Sequence, residues 1–309
     1  MFPSQSKPLA LNEYNGMRTK ALAILFILVS SVAVYAYELE PAEEVTDSQK
    51  PGRTEQTFQS LDSLFAQYQP YIGNMTPYEP VYFLVGLDPE ESAFQFSFKY
   101  RFFNLESELV QKHPWVEGFH LAYTQTSFWD LKSNSRPFED TSYKPEIFFL
   151  SKNIDPAVRV KRRLFIQAGF QHESNGRGES DSRSTNFAYI KPIFIFYHEP
   201  NHLGFQISST VWTYVSNDDD TNPDLNDYRG YFELEVKTGK FDSFVMATTF
   251  RSAKKGNSVK VDLTYPLHQY IFKNLSMHLH IQYSNSLAES LLNYQNRIHA
   301  LRLGFTIIR

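Results

Sequence analysis

Asn274-Leu275-Ser276-Met277-His278-Leu279-His280-Ile281-Gln282-Tyr283 alternates polar and apolar side chains without a break. A β-strand sends successive side chains to opposite faces. This stretch therefore puts Leu275, Met277, Leu279, Ile281 and Tyr283 on one side, and amide, hydroxyl and imidazole groups on the other. The pattern recurs upstream. Val259, Val261 and Leu263 interleave with Lys260, Asp262 and Thr264, and Phe232, Leu234 and Val236 interleave with Glu233, Glu235 and Lys237. Read the same way along the chain, alternation and turn chemistry predict twelve strands: 79–87, 93–104, 116–130, 143–153, 161–174, 185–198, 202–216, 229–238, 241–252, 257–265, 272–286 and 296–308. No later stretch is apolar for long enough to be a spanning helix, so any membrane crossing falls to these strands. The expected fold is all-β, a twelve-stranded antiparallel transmembrane β-barrel, with a soluble β-sandwich as the alternative.

The N-terminal region supports export. Arg18 and Lys20 precede an apolar run from Ala21 to Ala33 that ends in Val34-Tyr35-Ala36, the arrangement of a secretory signal peptide. A membrane anchor is the competing reading, and the run is shorter than the roughly 20 apolar residues a spanning helix needs. Residues 1–36 are accordingly assigned as signal peptide, with Met17 as an alternative start that leaves 1–16 untranslated. Residues 37–78, rich in Glu, Gln, Ser and Pro, form a periplasmic lead segment, and residues 79–309 form the barrel. The absence of cysteine is compatible with export. A formal net charge of −4 gives no electrostatic reason to expect nucleic acid, whose binders usually carry a basic patch. Connections at 131–142, 175–184 and 217–228 are the longer polar ones and belong outside the membrane. Those at 154–160, 199–201, 239–240 and 266–271 belong on the periplasmic side.

Chemistry concentrates at the end of the 161–174 strand. Leu164, Ile166, Ala168 and Phe170 share a parity with His172 and Ser174, while Arg163, Gln167, Gln171 and Glu173 occupy the other. A hydroxyl and an imidazole thus emerge on the apolar, lipid-facing side, close enough along one face for histidine to take the serine proton. Asn186 begins the next strand and returns beside His172, where its amide oxygen can orient the ring. An amide suits a site facing hydrocarbon, because an ionised carboxylate there carries a large desolvation cost. The bland alternative is a polar cap where the strand leaves the membrane. Asn217–Asn222 reads as a solvated loop, and His278 and His280 as lumen-lining residues.

The segment Phe170-Gln171-His172-Glu173-Ser174-Asn175-Gly176-Arg177, followed by Ser182-Arg183-Ser184-Thr185-Asn186, resembles the active-site region of outer membrane phospholipase A. The resemblance extends to Tyr123-Thr124-Gln125-Thr126-Ser127-Phe128-Trp129 with Pro137-Phe138-Glu139, to Asn222-Pro223-Asp224-Leu225 with Tyr228, and to Glu289-Ser290-Leu291 with Tyr294. It implies a calcium-dependent serine hydrolase of acyl esters in phospholipids and lysophospholipids, in the outer membrane of a Gram-negative bacterium. Ser174 would be the nucleophile, His172 the base, Asn186 the orienting group and the Gly176 amide part of the oxyanion hole. The resemblance further implies a Ca2+ site built from the Arg177 carbonyl and Ser182, with a serine lent by a second protomer. Ser135 is the candidate for that serine and Ser133 the alternative. Glu179 stands where the family has a carboxylate associated with a second calcium mode, or is an ordinary loop acid. A homodimer through the flat barrel side that includes Gln125 is implied as well. Two other functions stay open at this level: a non-catalytic pore or structural barrel, and an inert relative whose 131–142 loop is too short to deliver its calcium ligand.

Overall fold

The computed structural model describes residues 73–154, 162–217, 220–240, 242–267 and 276–309. The signal peptide and all of the lead segment up to residue 72 lie outside the described residues. Thirteen strands form one antiparallel sheet. They are β1 (Met75–Pro77), β2 (Val81–Gly86), β3 (Ser92–Arg101), β4 (Phe119–Trp129), β5 (Phe138–Leu150), β6 (Arg162–Ser174) and β7 (Ser184–His198). The series continues with β8 (Leu203–Asn217), β9 (Phe232–Gly239), β10 (Val245–Ala253), β11 (Gly256–Pro266), β12 (His278–Leu287) and β13 (Arg297–Ile308). Each strand from β2 to β13 pairs with its sequence neighbours, and β13 returns to β2, which closes a twelve-stranded barrel.

β1 does not add a thirteenth stave. Met75–Pro77 pairs with Phe98–Tyr100 of β3, and Tyr82–Leu84 of β2 pairs with Ala93–Gln95 of the same strand. The two short strands are one stave broken at Tyr78-Glu79-Pro80, where proline has no N–H to give to a ladder. Glu79 N donates instead to Ser97 Oγ at 3.1 Å, and Tyr78 turns inward to bond Glu146 Oε1 at 3.0 Å. Strand pairing therefore starts at Met75, before the boundary expected at residue 79.

Side-chain parity organises the wall. Outward positions carry Phe83, Phe96, Leu121, Ile147, Phe170, Ile190, Leu301, Leu303 and Phe305, all exposed. Inward positions carry the buried groups: Gln167, Glu146, Tyr189, His280, Gln282 and Arg302. An apolar outside around a polar inside is the arrangement of a barrel in a bilayer, since a soluble barrel would have it reversed. The lumen is filled by networks. Tyr78, Gln167 and Tyr189 converge on Glu146. Arg302, 1% exposed, donates to Gln282 Oε1 at 2.7 Å and Glu289 Oε1 at 2.8 Å. His280 Nε2 meets Asp262 Oδ1 at 2.8 Å, which places His280 in the lumen as its parity predicted.

Strand ends differ from the expectation where loop chemistry extends a ladder. β5 begins at Phe138 rather than 143, so the expected 131–142 connection shrinks to 130–137. Asp130 N donates to Pro137 O at 3.1 Å and Trp129 Nε1 to Arg136 O at 2.8 Å, which closes that loop tightly. The 217–222 stretch is also not simply solvated. Asn222 is fully buried, donating to Asn217 Oδ1 at 2.7 Å and Ser184 O at 3.3 Å, because residues 220–231 fold back over the barrel end. Within that connection lies one short helix, α1 (Leu225–Arg229), which buries Leu225 against Ala288, Leu291 and Tyr294.

Candidate active site

His172 and Asn186 are direct partners in the β6–β7 register. Their side chains meet on the outer face, with His172 Nδ1 2.8 Å from Asn186 Oδ1. With the amide oxygen as acceptor, the ring proton sits on Nδ1 and the Nε2 lone pair is left for a substrate or nucleophile. Local irregularities aim this pair. The β7–β8 register shifts between Asn186 and Phe187, a bulge of the kind that re-aims a side chain at a strand end. On the other flank the β5–β6 ladder lapses at Lys144 and Pro145, so the strand facing His172 carries a residue with no N–H.

Ser174 lies one outward position beyond His172, paired with Ser184 on β7 and Tyr143 on β5. Serine and histidine thus share the face that parity assigned. Among the described residues the Ser174 hydroxyl forms no hydrogen bond to the ring. Catalytic hydrogen bonds are often long before substrate is bound.

Between them Glu173 points into the lumen and is 2% exposed. Its Oε2 accepts from Arg229 Nη1 at 2.5 Å and its Oε1 from Arg229 Nη2 at 3.4 Å, with Ser142 Oγ as a further donor. Lys144 Nζ lies 3.9 Å away. This fork fixes the backbone of β6 from inside at the residue that separates the two reactive groups. Sequence reasoning did not find Arg229 or Ser142. The only signal was the inward parity of Glu173, which demands a cation without saying which one.

Beyond Ser174 the chain turns at Gly176, with φ at +67°. A Cβ there would lie 2.8 Å from Cε2 of Tyr143, so this turn favours glycine on both backbone and steric grounds. Asn175 builds the loop 175–183 from within. Its Oδ1 accepts from Arg183 N at 3.0 Å and Arg177 N at 3.3 Å, and its Nδ2 donates to Asp181 O at 2.8 Å. Arg177 and Glu179 are exposed and Ser182 is half-buried. Among the described residues neither the Ser182 hydroxyl nor the Arg177 carbonyl takes part in a hydrogen bond within the protein. Both are neutral oxygen donors on one ordered loop, which suits calcium, a cation that takes six to eight hard oxygen ligands. No group of three or more His, Asp or Glu side chains among the described residues is arranged to hold a metal. Any cation here depends on hydroxyl and carbonyl oxygens. Ser133 and Ser135 sit exposed on loop 130–137.

Gln125 faces outward in a row that continues through Tyr143 to Ser174. Its Oε1 accepts from the Tyr123 hydroxyl at 3.0 Å, and its Nε2 donates to Ser127 Oγ at 3.3 Å, which in turn accepts from Thr141 Oγ1 at 3.1 Å. A polar strip therefore interrupts the apolar belt beside the His172–Asn186 pair.

The sequence pattern of the Phospholipase A1 family matches residues 57–307. Phospholipase A1 of Escherichia coli (strain K12) is 30% identical over 176 residues, which are 56% of this chain and 56% of that protein. Phospholipase A1 of Proteus vulgaris is 27% identical over 190 residues, 60% of each chain. The chain thus spans somewhat over half the length of the curated relatives it matches. Among solved structures, outer membrane phospholipase A from Escherichia coli superposes with a TM-score of 0.62 at 23% identity, covering 76% of this chain and 98% of that one. A Salmonella typhi outer membrane phospholipase dimer with bound calcium gives a TM-score of 0.62 at 22% identity, covering 79% and 94%. These two likenesses are of fold, the closed twelve-stranded barrel described above. With the family pattern running from before β1 almost to the last residue of β13, this chain belongs to the phospholipase A1 family.

Proposed function

We propose that this protein is a calcium-dependent serine hydrolase of acyl ester bonds in phospholipids and lysophospholipids, embedded in the outer membrane of a Gram-negative bacterium and active as a dimer. The observation that carries the reading is the 2.8 Å His172–Asn186 pair on the lipid-facing wall, on the same outward row set as Ser174. A substrate ester lying at the membrane boundary reaches such a site without leaving the bilayer.

His172 Nε2 takes the Ser174 proton as Oγ attacks the acyl carbonyl, and returns it to the departing alcohol oxygen. Asn186 holds the ring and its tautomer at a cost in desolvation far below that of a carboxylate. The Gly176 N–H, set by its left-handed backbone, donates to the oxygen that becomes negative; one such donor typically contributes about 3 kcal/mol to the barrier. Ser182 and the Arg177 carbonyl would hold calcium together with Ser135, or Ser133, of a second protomer, and Glu179 lies beside them as a further acid. Bound there, the cation supplies positive charge at the oxyanion. Gln125 lies where two copies could exchange amide hydrogen bonds across a two-fold axis.

The lumen argues against a passive pore. Its cavity is about 320 Å³ and is crossed by the Glu146, Glu173 and Arg302 networks. The deciding measurement is fatty-acid release from phospholipid micelles by wild type and Ser174→Ala, each with and without calcium. Release that needs both the serine and calcium is expected. Undiminished release by a folded Ser174→Ala barrel overturns the reading, and large conductance steps with no release favour the pore.

A further inference from the structure

Arg177 has two ends with separate connections. Its carbonyl belongs to the calcium donors proposed above, whereas its guanidinium leaves the loop and reaches the start of β5. There Nη2 donates to the carbonyl of Phe138 at 3.3 Å and to that of Glu139, while Nη1 stays 4.0 Å from Asp181 Oδ2 of its own loop. Nε lies 3.8 Å from Oδ1 of Asp140, a carboxylate only 1% exposed. The other oxygen of Asp140 accepts from Leu292 N at 2.9 Å, which adds the 288–296 connection to the same junction.

Phe138 and Glu139 directly follow loop 130–137, the loop that bears Ser133 and Ser135. One side chain thus joins the loop holding the Arg177 carbonyl and Ser182 to the loop holding the serine that would serve a partner. The Arg177 N–H is held by Asn175 Oδ1 at 3.3 Å, but Arg177 is flanked by Gly176 and Gly178, and a Cβ at Gly178 would meet nothing within 4 Å. Glycine on both sides leaves the carbonyl direction free unless something else sets it. A planar guanidinium, bridging two carbonyls and a buried carboxylate, is suited to that task in a way a lysine ammonium is not.

We infer that the Arg177 guanidinium, seated on Asp140 and the Phe138–Glu139 main chain, is a positioning group that sets loops 175–183 and 130–137 against each other for calcium binding. This rests on the calcium reading above. In a two-fold dimer the exchange is reciprocal, so the strut that orders a protomer's own donors also orders the serine it lends.

The test is calorimetric titration of calcium chloride alone into detergent-solubilised wild type, Arg177→Met, Arg177→Lys and Lys132→Met, beside fatty-acid release at each calcium level. Lys132 shares loop 130–137 but among the described residues pairs with Asp88 and Glu90 at the surface, and serves as the control. Arg177→Met keeps the carbonyl and removes the strut. Its calcium midpoint is expected to rise about 10-fold or more, the usual loss when a group that orients a metal ligand is removed. Fatty-acid release should follow the same shift in calcium midpoint, Arg177→Lys should fall between, and Lys132→Met should match wild type. A folded Arg177→Met with the wild-type midpoint overturns the inference and leaves the calcium reading standing, as does an equal shift in Lys132→Met. Failure of wild type to bind calcium overturns both. If Arg177→Met does not form a barrel, Arg177→Lys against Lys132→Met carries the same comparison.

Discussion

The two faces of β6 do opposite things with the same ten or so ångströms of chain. Outward, His172 and Ser174 stand in a sparse setting, with one hydrogen bond to Asn186 and hydrocarbon-like neighbours. Inward, Glu173 sits between them in a dense one, held by Arg229, Ser142 and Lys144. A lightly bonded face leaves a hydroxyl free to react. A saturated face fixes the backbone that carries it. Alternation with period two lets one strand supply both.

The comparison breaks first at Ser174, the proposed nucleophile. Ser174→Ala should lower phospholipid hydrolysis by about 1,000-fold or more with no change in barrel stability, since it removes only an outward hydroxyl; a stability loss would show that the outer face is also structural. On the inner face Glu173→Gln leaves a buried Arg229 without its anion. Such a break typically costs about 3 kcal/mol, to be read as a lower urea midpoint of the folded barrel, while turnover per folded molecule changes far less. Adding Arg229→Met should recover part of the loss. Asn186→Ala should reduce turnover by about 100-fold through loss of the oriented ring, again without a shift in unfolding.

Two smaller effects sharpen the contrast at the loop end. Gly176→Ala forces a side chain into a left-handed position and against the Tyr143 ring, which costs about 1–2 kcal/mol locally and should lower turnover more than it lowers the unfolding midpoint. The Asp224–Tyr294 bond tests a junction away from the chemistry. The Tyr294 hydroxyl, with Gln295 adding a weaker bond, holds the Asp224 carboxyl below its ordinary value of 3.8. Burial, and then the bond to Asp224, push the Tyr294 phenol up to about 12. The depressed acid contributes stability above about pH 4 that is lost as pH falls through its folded value. The raised phenol contributes stability below pH 10 that is lost as pH climbs toward 12. Tyr294→Phe should flatten the thermal midpoint in both windows and leave turnover at neutral pH within about 2-fold of wild type.

Much of this was legible in the sequence because it depends on parity. Twelve staves, the outward side of His172 and Ser174, the lumenal side of His280 and the return of Asn186 beside His172 all follow from counting by two. What was not legible depends on partners far along the chain. Glu173 meets Arg229 only because α1 folds over the barrel end, and Asp140 meets Arg177 and Leu292 across three separate connections. The break at Tyr78-Glu79-Pro80 was hidden for a different reason. The expected strand 79–87 already contained Pro80 and stopped short of Met75–Pro77, so the gap and the strand before it went unread.

That gap has a mechanical consequence. The seam between the broken stave and β3 is laced in two runs of three pairs, Met75–Pro77 and Tyr82–Leu84, one on either side of the gap. A load pulling that seam apart is expected to start at the gap, where no ladder pair holds it.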